Sequence, residues 1–96
     1  MVIRIKDVAG GADTSTQGSL VYAELKTALR TPQELVIISF QGVQNATSSF
    51  VNTSFVRLLD DWCVDELRRR IRVINSSRQI NVMIASRLQR EHLAHA

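Results

Sequence analysis

The stretch Leu35 to Phe55, LVIISFQGVQNATSSFVNTSF, constrains the fold more than any other part of the chain. Its apolar run, Leu35 to Ile38, is short, rich in β-branched residues and closed by Gly42, which reads as a central strand buried on both faces. A polar stretch follows, in which Thr47, Ser48 and Ser49 can each cap a helix N-terminus, so the chain is expected to turn there from strand to helix. The first amides of a helix point outward with partial positive charge, and a phosphate or carboxylate on Ser48 or Ser49 would be stabilised by them. The serine pair is therefore the candidate switch.

Length and composition narrow the alternatives. With 96 residues, 45% apolar and 22% charged, the chain suits one domain around one core. No apolar run is long enough to cross a bilayer, and MVIRIKD lacks the apolar centre of a secretion signal, so a cytoplasmic protein is expected. Cys63 is alone, and no Cys/His spacing suits a metal, so neither disulfide nor metal nor cofactor is expected. The net charge of +3 lies in the second half: up to residue 48, Arg4, Lys6, Lys26 and Arg30 balance Asp7, Asp13, Glu24 and Glu34. Ten of the twelve basic residues are arginine, which favours planar, bidentate contact with carboxylate or phosphate.

In chain order, Met1 to Val8 alternates like a half-exposed edge strand. Gly10 to Gly18, GGADTSTQG, has no apolar anchor and reads as a mobile connection or a tight hairpin followed by a loop. Ser19 can cap a helix running to about Arg30, with a stripe of Leu20, Val21, Leu25, Ala28 and Leu29, ended by Thr31-Pro32. After the central strand, a second helix from about Ser48 carries Phe50, Phe55, Leu58, Leu59, Trp62, Cys63 and Leu67 as the principal core helix. Its aromatic residues at helical spacing read as core rather than a ligand box, and Cys63 as a buried, inert thiol. Arg68, Arg69 and Arg70 complement the negative end of that helix. Ile71 to Ile74 forms another strand, Asn75-Ser76-Ser77 turns and caps, and a last helix carries Ile80, Ile84 and Leu88 with Val82 and Met83 alongside. The terminal HLAHA reads as a fraying end, with His92 and His95 exposed. The sum is an α/β sandwich with a mixed or mostly parallel sheet of three or four strands, covered by three helices on one or both faces through right-handed crossovers.

The run VIISFQGVQNATSSF resembles the central strand, turn and helix of STAS domains, the modules of anti-sigma factor antagonists and sulfate transporters. It is more similar still to a STAS-like family of small bacterial and phage-associated proteins, over roughly Ser19 to Leu88. The resemblance implies one STAS-like domain over residues 1–96, a sheet with helices packed on it, and a role in binding a protein partner. In anti-sigma factor antagonists the first serine of an Asp-Ser-Ser-Gly motif is phosphorylated by a partner kinase of the GHKL-type ATPase fold, which weakens their binding. By position that serine is Ser48, and Ser49 is the second. Thr47 stands in place of the aspartate, Phe50 in place of the glycine, and Ser39 where STAS-like proteins often have aspartate. Thr47 removes a charge beside the switch serine, and Phe50 is expected to narrow access to the helix start.

Three functions compete. The first is a regulatory interaction module whose partner, a GHKL-type kinase or another sigma-regulating protein, meets Asn45, Thr47, Ser48, Ser49, Phe50 and Asn52. The second is catalysis through a serine nucleophile. It lacks a nearby base, since the histidines lie at the C-terminus, and the sequence holds no Gly-x-Ser-x-Gly elbow and no Walker loop. The third is nucleic-acid binding through Arg57, Arg68, Arg69, Arg70, Arg72, Arg78, Arg87 and Arg90. Against it, Asp60, Asp61, Asp65 and Glu66 are spaced to pair with those arginines along the helix. The stripe on the last helix, with Met83 and an exposed edge strand, also leaves homodimerisation open.

Overall fold

The computed structural model describes residues 1–95, with side chains through Arg90. Three parallel strands stand in the order β1 (Val2–Arg4), β2 (Val36–Ser39), β3 (Ile71–Ile74). The first crossover holds α1 (Ile5–Ala9) and α2 (Ser15–Leu29). The second holds α3 (Ser48–Ser54), a 3-10 segment (Val56–Asp60) and α4 (Val64–Arg70), and α5 (Arg78–His95) follows β3. The class is α/β as expected, with the sheet wholly parallel and five helices instead of three. The expectations for His92, His95 and the HLAHA end fall on side chains outside those described.

Strand alternation sorts the sheet into two unlike faces. Ile3, Val36, Ile38 and the following Phe40 are buried among core residues supplied by all five helices, including Ile5, Val21, Phe50, Leu67 and Ile80. Val2, Ile37 and Ile74 point the other way and belong to no part of that core. The expected two-sided burial of β2 is thus corrected: Ile37 is only half-buried and Leu35 is exposed, because the helices form a single layer.

Further boundaries differ from the sequence expectation, each for a local reason. The edge strand stops at Arg4 rather than Val8, because Ile5, Val8 and Ala9 have helical spacing and reach the core. Gly10, at φ 78°, then ends α1 in the left-handed region that glycine adopts without strain. The Gly10 to Gly18 stretch is not a free loop. Thr14 and Gln17 form a reciprocal capping box that starts α2 at Ser15 rather than Ser19, Gln17 Nε2 donates to the Ala9 carbonyl, and Ala12 is wholly buried.

The expected core helix from Ser48 to Leu67 breaks after Ser54. There Ser54 Oγ donates to the Phe50 carbonyl at 2.7 Å and Thr53 Oγ1 to that of Ser49 at 2.8 Å, a back-bonding that bends helices. Phe55 and Leu58 still reach the core, but Trp62 is only half-buried and Cys63 is exposed beside α4, not part of an apolar face. Leu20, placed in the α2 stripe, is exposed as well.

Arg70 does not serve its own helix end. It is 8% exposed, and its guanidinium donates to the carbonyls of Leu29 (2.9 Å), Thr31 (2.6 Å) and Glu34 (3.4 Å), satisfying the C-terminus of α2 and the turn beyond it. Nor do the expected acid–arginine pairs form: among the described residues Asp60, Asp65 and Glu66 make no ion pair within 4 Å, and Asp61 faces Lys26 at 3.9 Å. Asp65 and Glu66 keep helical spacing to Arg68 and Arg69 within α4 yet make no ion pair with them, and Arg70 is drawn away to the carbonyls beyond α2. Arg57 instead lies 4.2 Å over the Tyr22 ring, and Arg68 donates to Gln89.

Two substitutions test this packing. A Cβ on Gly18 would sit 2.6 Å from the Phe50 carbonyl oxygen and against Thr53 Oγ1, where α2 crosses α3. Gly18→Ala should therefore lower stability by at least about 1 kcal/mol in urea unfolding, although alanine is the better helix former. Arg70→Ala leaves three carbonyls without their charged donor and should cost about 2 kcal/mol or more, with Arg70→Lys recovering only part of it.

Candidate functional site

The loop from β2 to α3, the turn after β3 and the segment between α1 and α2 meet at the carboxyl edge of the sheet, where open α/β folds place their binding surfaces. The longest leads from β2 to α3. Phe40 is wholly buried, with its ring 6.4 Å from that of Phe50, edge-on, and 6.4 Å from that of Phe55, stacked. The chain then turns through Gly42 at φ 82°, and the Val43 amide donates to the Phe40 carbonyl at 2.8 Å.

Both neighbouring loops hold the segment from Val43 to Thr47. On the α5 side, Gln79 spans Ala46 with two bonds, accepting from its amide at 2.9 Å and donating to its carbonyl at 2.9 Å, while Ser77 Oγ donates to the Gln44 carbonyl at 2.6 Å. On the α2 side, the Thr47 amide donates to the Ala12 carbonyl at 3.0 Å and Thr47 Oγ1 to that of Asp13 at 2.9 Å. Nothing in the spacing of Gln79 or Ala12 marks this role, since the residues they hold lie over thirty positions away. The capping box of Thr14 and Gln17 was the one local signal that this region is ordered.

Thr47 is the N-cap of α3: its hydroxyl accepts from the Phe50 amide at 3.2 Å. It thus supplies the acceptor that an aspartate would give, without the charge. Ser48 is half-buried, Ser49 is exposed, and neither hydroxyl forms a hydrogen bond among the described residues. Asn45 and Asn52 are exposed beside them. Phe50, expected on the contact surface and across the helix mouth, is corrected: at 0% exposure its side chain lies in the core and narrows nothing. Ser39, in the place of the family aspartate, is buried, and its hydroxyl accepts from Asn75 Nδ2 at 3.1 Å and the Gln41 amide at 3.3 Å.

Among the described residues no three His, Cys, Asp or Glu side chains are grouped to hold a metal, and no helix is long and apolar enough to cross a membrane. What the edge offers is a rim of amides and hydroxyls on a backbone tied down from both sides. No match to a curated protein or to a solved structure was found. The family model described as a STAS-like domain of unknown function (DUF4325) matches residues 17–81, well over half of the chain and close to the Ser19 to Leu88 span of the resemblance. The α/β architecture, the strand–turn–helix around Ser48 and this match agree, and the chain belongs to the STAS-like domain family.

Proposed function

We propose that the domain is a cytoplasmic, non-catalytic regulatory module that binds a protein partner through the rim at the start of α3, with Asn45, Ser48, Ser49 and Asn52 as its contact residues. The carrying observation is that two unengaged serine hydroxyls stand on an accessible edge whose backbone is already tied down from both sides. An ordered loop loses little entropy when a partner docks, which suits recognition. Neither serine has a base within hydrogen-bonding reach among the described residues, which supports binding over nucleophilic chemistry.

In the finer reading the partner is a kinase of the GHKL-type ATPase fold, or another sigma-regulating protein, and Ser48 is its phosphorylation point. A phosphate there adds close to two negative charges to a rim that carries no charge at positions 45 to 52. That change is large enough to repel an acidic partner surface, while Thr47 keeps its capping bond at the start of α3.

Affinity capture from the native cell, with the wild-type protein and a Ser49→Arg variant as baits, tests the contact. The expected result is one stoichiometric protein whose retention falls at least about tenfold with the variant, equivalent to about 1.4 kcal/mol, while circular dichroism is unchanged. Equal retention by both baits moves the contact away from the rim. Incubating the captured partner and ATP with the domain should then place phosphate on the Ser48-Ser49 peptide in mass spectrometry, and an unmodified peptide ends the switch reading.

A further inference from the structure

The face of the sheet turned away from the helices has no internal partner among the described residues. All-parallel sheets normally have both faces covered, because hydrophobic strands are costly to leave in water. Here the strands leave Val2 53% and Ile74 37% exposed and Ile37 half-buried, and Leu35, next to β2, is 46% exposed. Register places Val2, Ile37 and Arg72 in one row across the sheet and Arg4, Ser39 and Ile74 in the next. The apolar groups therefore run diagonally through Val2, Ile37 and Ile74, and the exposed Arg4 and Arg72 occupy the two remaining corners.

We propose that this face docks an amphipathic helix of a partner protein, one that carries acidic side chains on both flanks of an apolar stripe. The charge argument is specific: the three strands, VIR, VIIS and IRVI, contain two arginines and no acid. Adjacent strands are about 4.8 Å apart, so β1 and β3 are separated by about 10 Å, close to the diameter of a helix. A helix laid along the diagonal covers the apolar groups and brings a carboxylate to the guanidinium on each side, the geometry in which arginine pairs bidentately.

The same charges argue against a second copy as occupant. Two such faces pressed together would oppose arginines with no strand carboxylate to neutralise them, and like charges across an interface cost affinity. The nearest acid before β2, Glu34, has its carboxylate 3.5 Å from the Met1 amine. The surface is also separate from the α3 rim, whose helix lies in the opposite layer, so the two can be tested independently.

The test uses two labelled helical peptides of about 18 residues with an identical leucine stripe, one flanked by glutamates and one by lysines, titrated by fluorescence anisotropy. The glutamate peptide should bind and the lysine peptide should not. The double variant Arg4→Glu, Arg72→Glu should weaken the glutamate peptide at least about tenfold and admit the lysine peptide, whereas Arg69→Glu with Arg87→Glu, on α4 and α5, should change neither. Equal binding of the two peptides, no binding of the glutamate peptide, or the same loss from the Arg69 and Arg87 variant would overturn the proposal. So would a concentration-dependent dimer in sedimentation that Ile74→Asp abolishes, which assigns the face to a second copy.

Discussion

Phe40 at the end of the central strand is the residue on which the rest of the molecule is hung. Its ring contacts those of Phe50 and Phe55, and all three are sealed from water. Burying such rings contributes about 2 kcal/mol or more each, so the segment between them is committed to returning over the sheet. Once Phe50, Val51 and Ser54 face inward, the helical rotation leaves Ser49 and Asn52 on the outer side. The exposure of the rim is thus a consequence of the aromatic contact and not an independent feature.

The same cluster explains why the helices form only one layer. β2 neighbours both β1 and β3, and the segments connecting them supply one shared core against Val36, Ile38 and Phe40. Gly18 lets α2 approach the Phe50 carbonyl closely, and Arg70 ties the end of α2 to the start of β3. With so few residues, most of the apolar surface of the helices is used on one side. The opposite face keeps its β-branched residues and receives no cover from the described chain.

Much of this was legible in the residues. The run Leu35 to Ile38, the Thr47-Ser48-Ser49 step and the Ile71 to Ile74 strand each carried a local pattern that the fold retains to within a residue. Two of the misreadings share one cause: periodicity records which residues are apolar, not how the backbone between them is satisfied. Phe55, Leu58 and Leu67 suited one long helix, yet that helix ends where consecutive Thr53 and Ser54 hydroxyls bond back to its carbonyls, an arrangement that bends helices. Arg70 suited its own helix end, yet the unsatisfied carbonyls of Leu29 and Thr31 offered a better site. The Gly10 to Gly18 stretch looked unanchored because alanine is a weak apolar signal, and Ala12 is where it is pinned.

At the rim, the legible part was which residues gather, and the illegible part was why they hold still. Ser48 and Ser49 follow from the capping pattern, but the bonds from Gln79, Ser77 and the Ala12–Asp13 backbone are long-range and have no sequence signature. Their presence shapes the proposed switch. A loop already fixed on both sides gives a phosphate little to order or melt, so modification would act through charge on a standing surface. Thr47 fits that logic: it keeps the capping bond to the Phe50 amide while leaving the position next to Ser48 neutral. With aspartate there, the rim would already carry one negative charge before modification. With threonine the rim starts neutral, so the phosphate would supply all of the negative charge carried by the modified state.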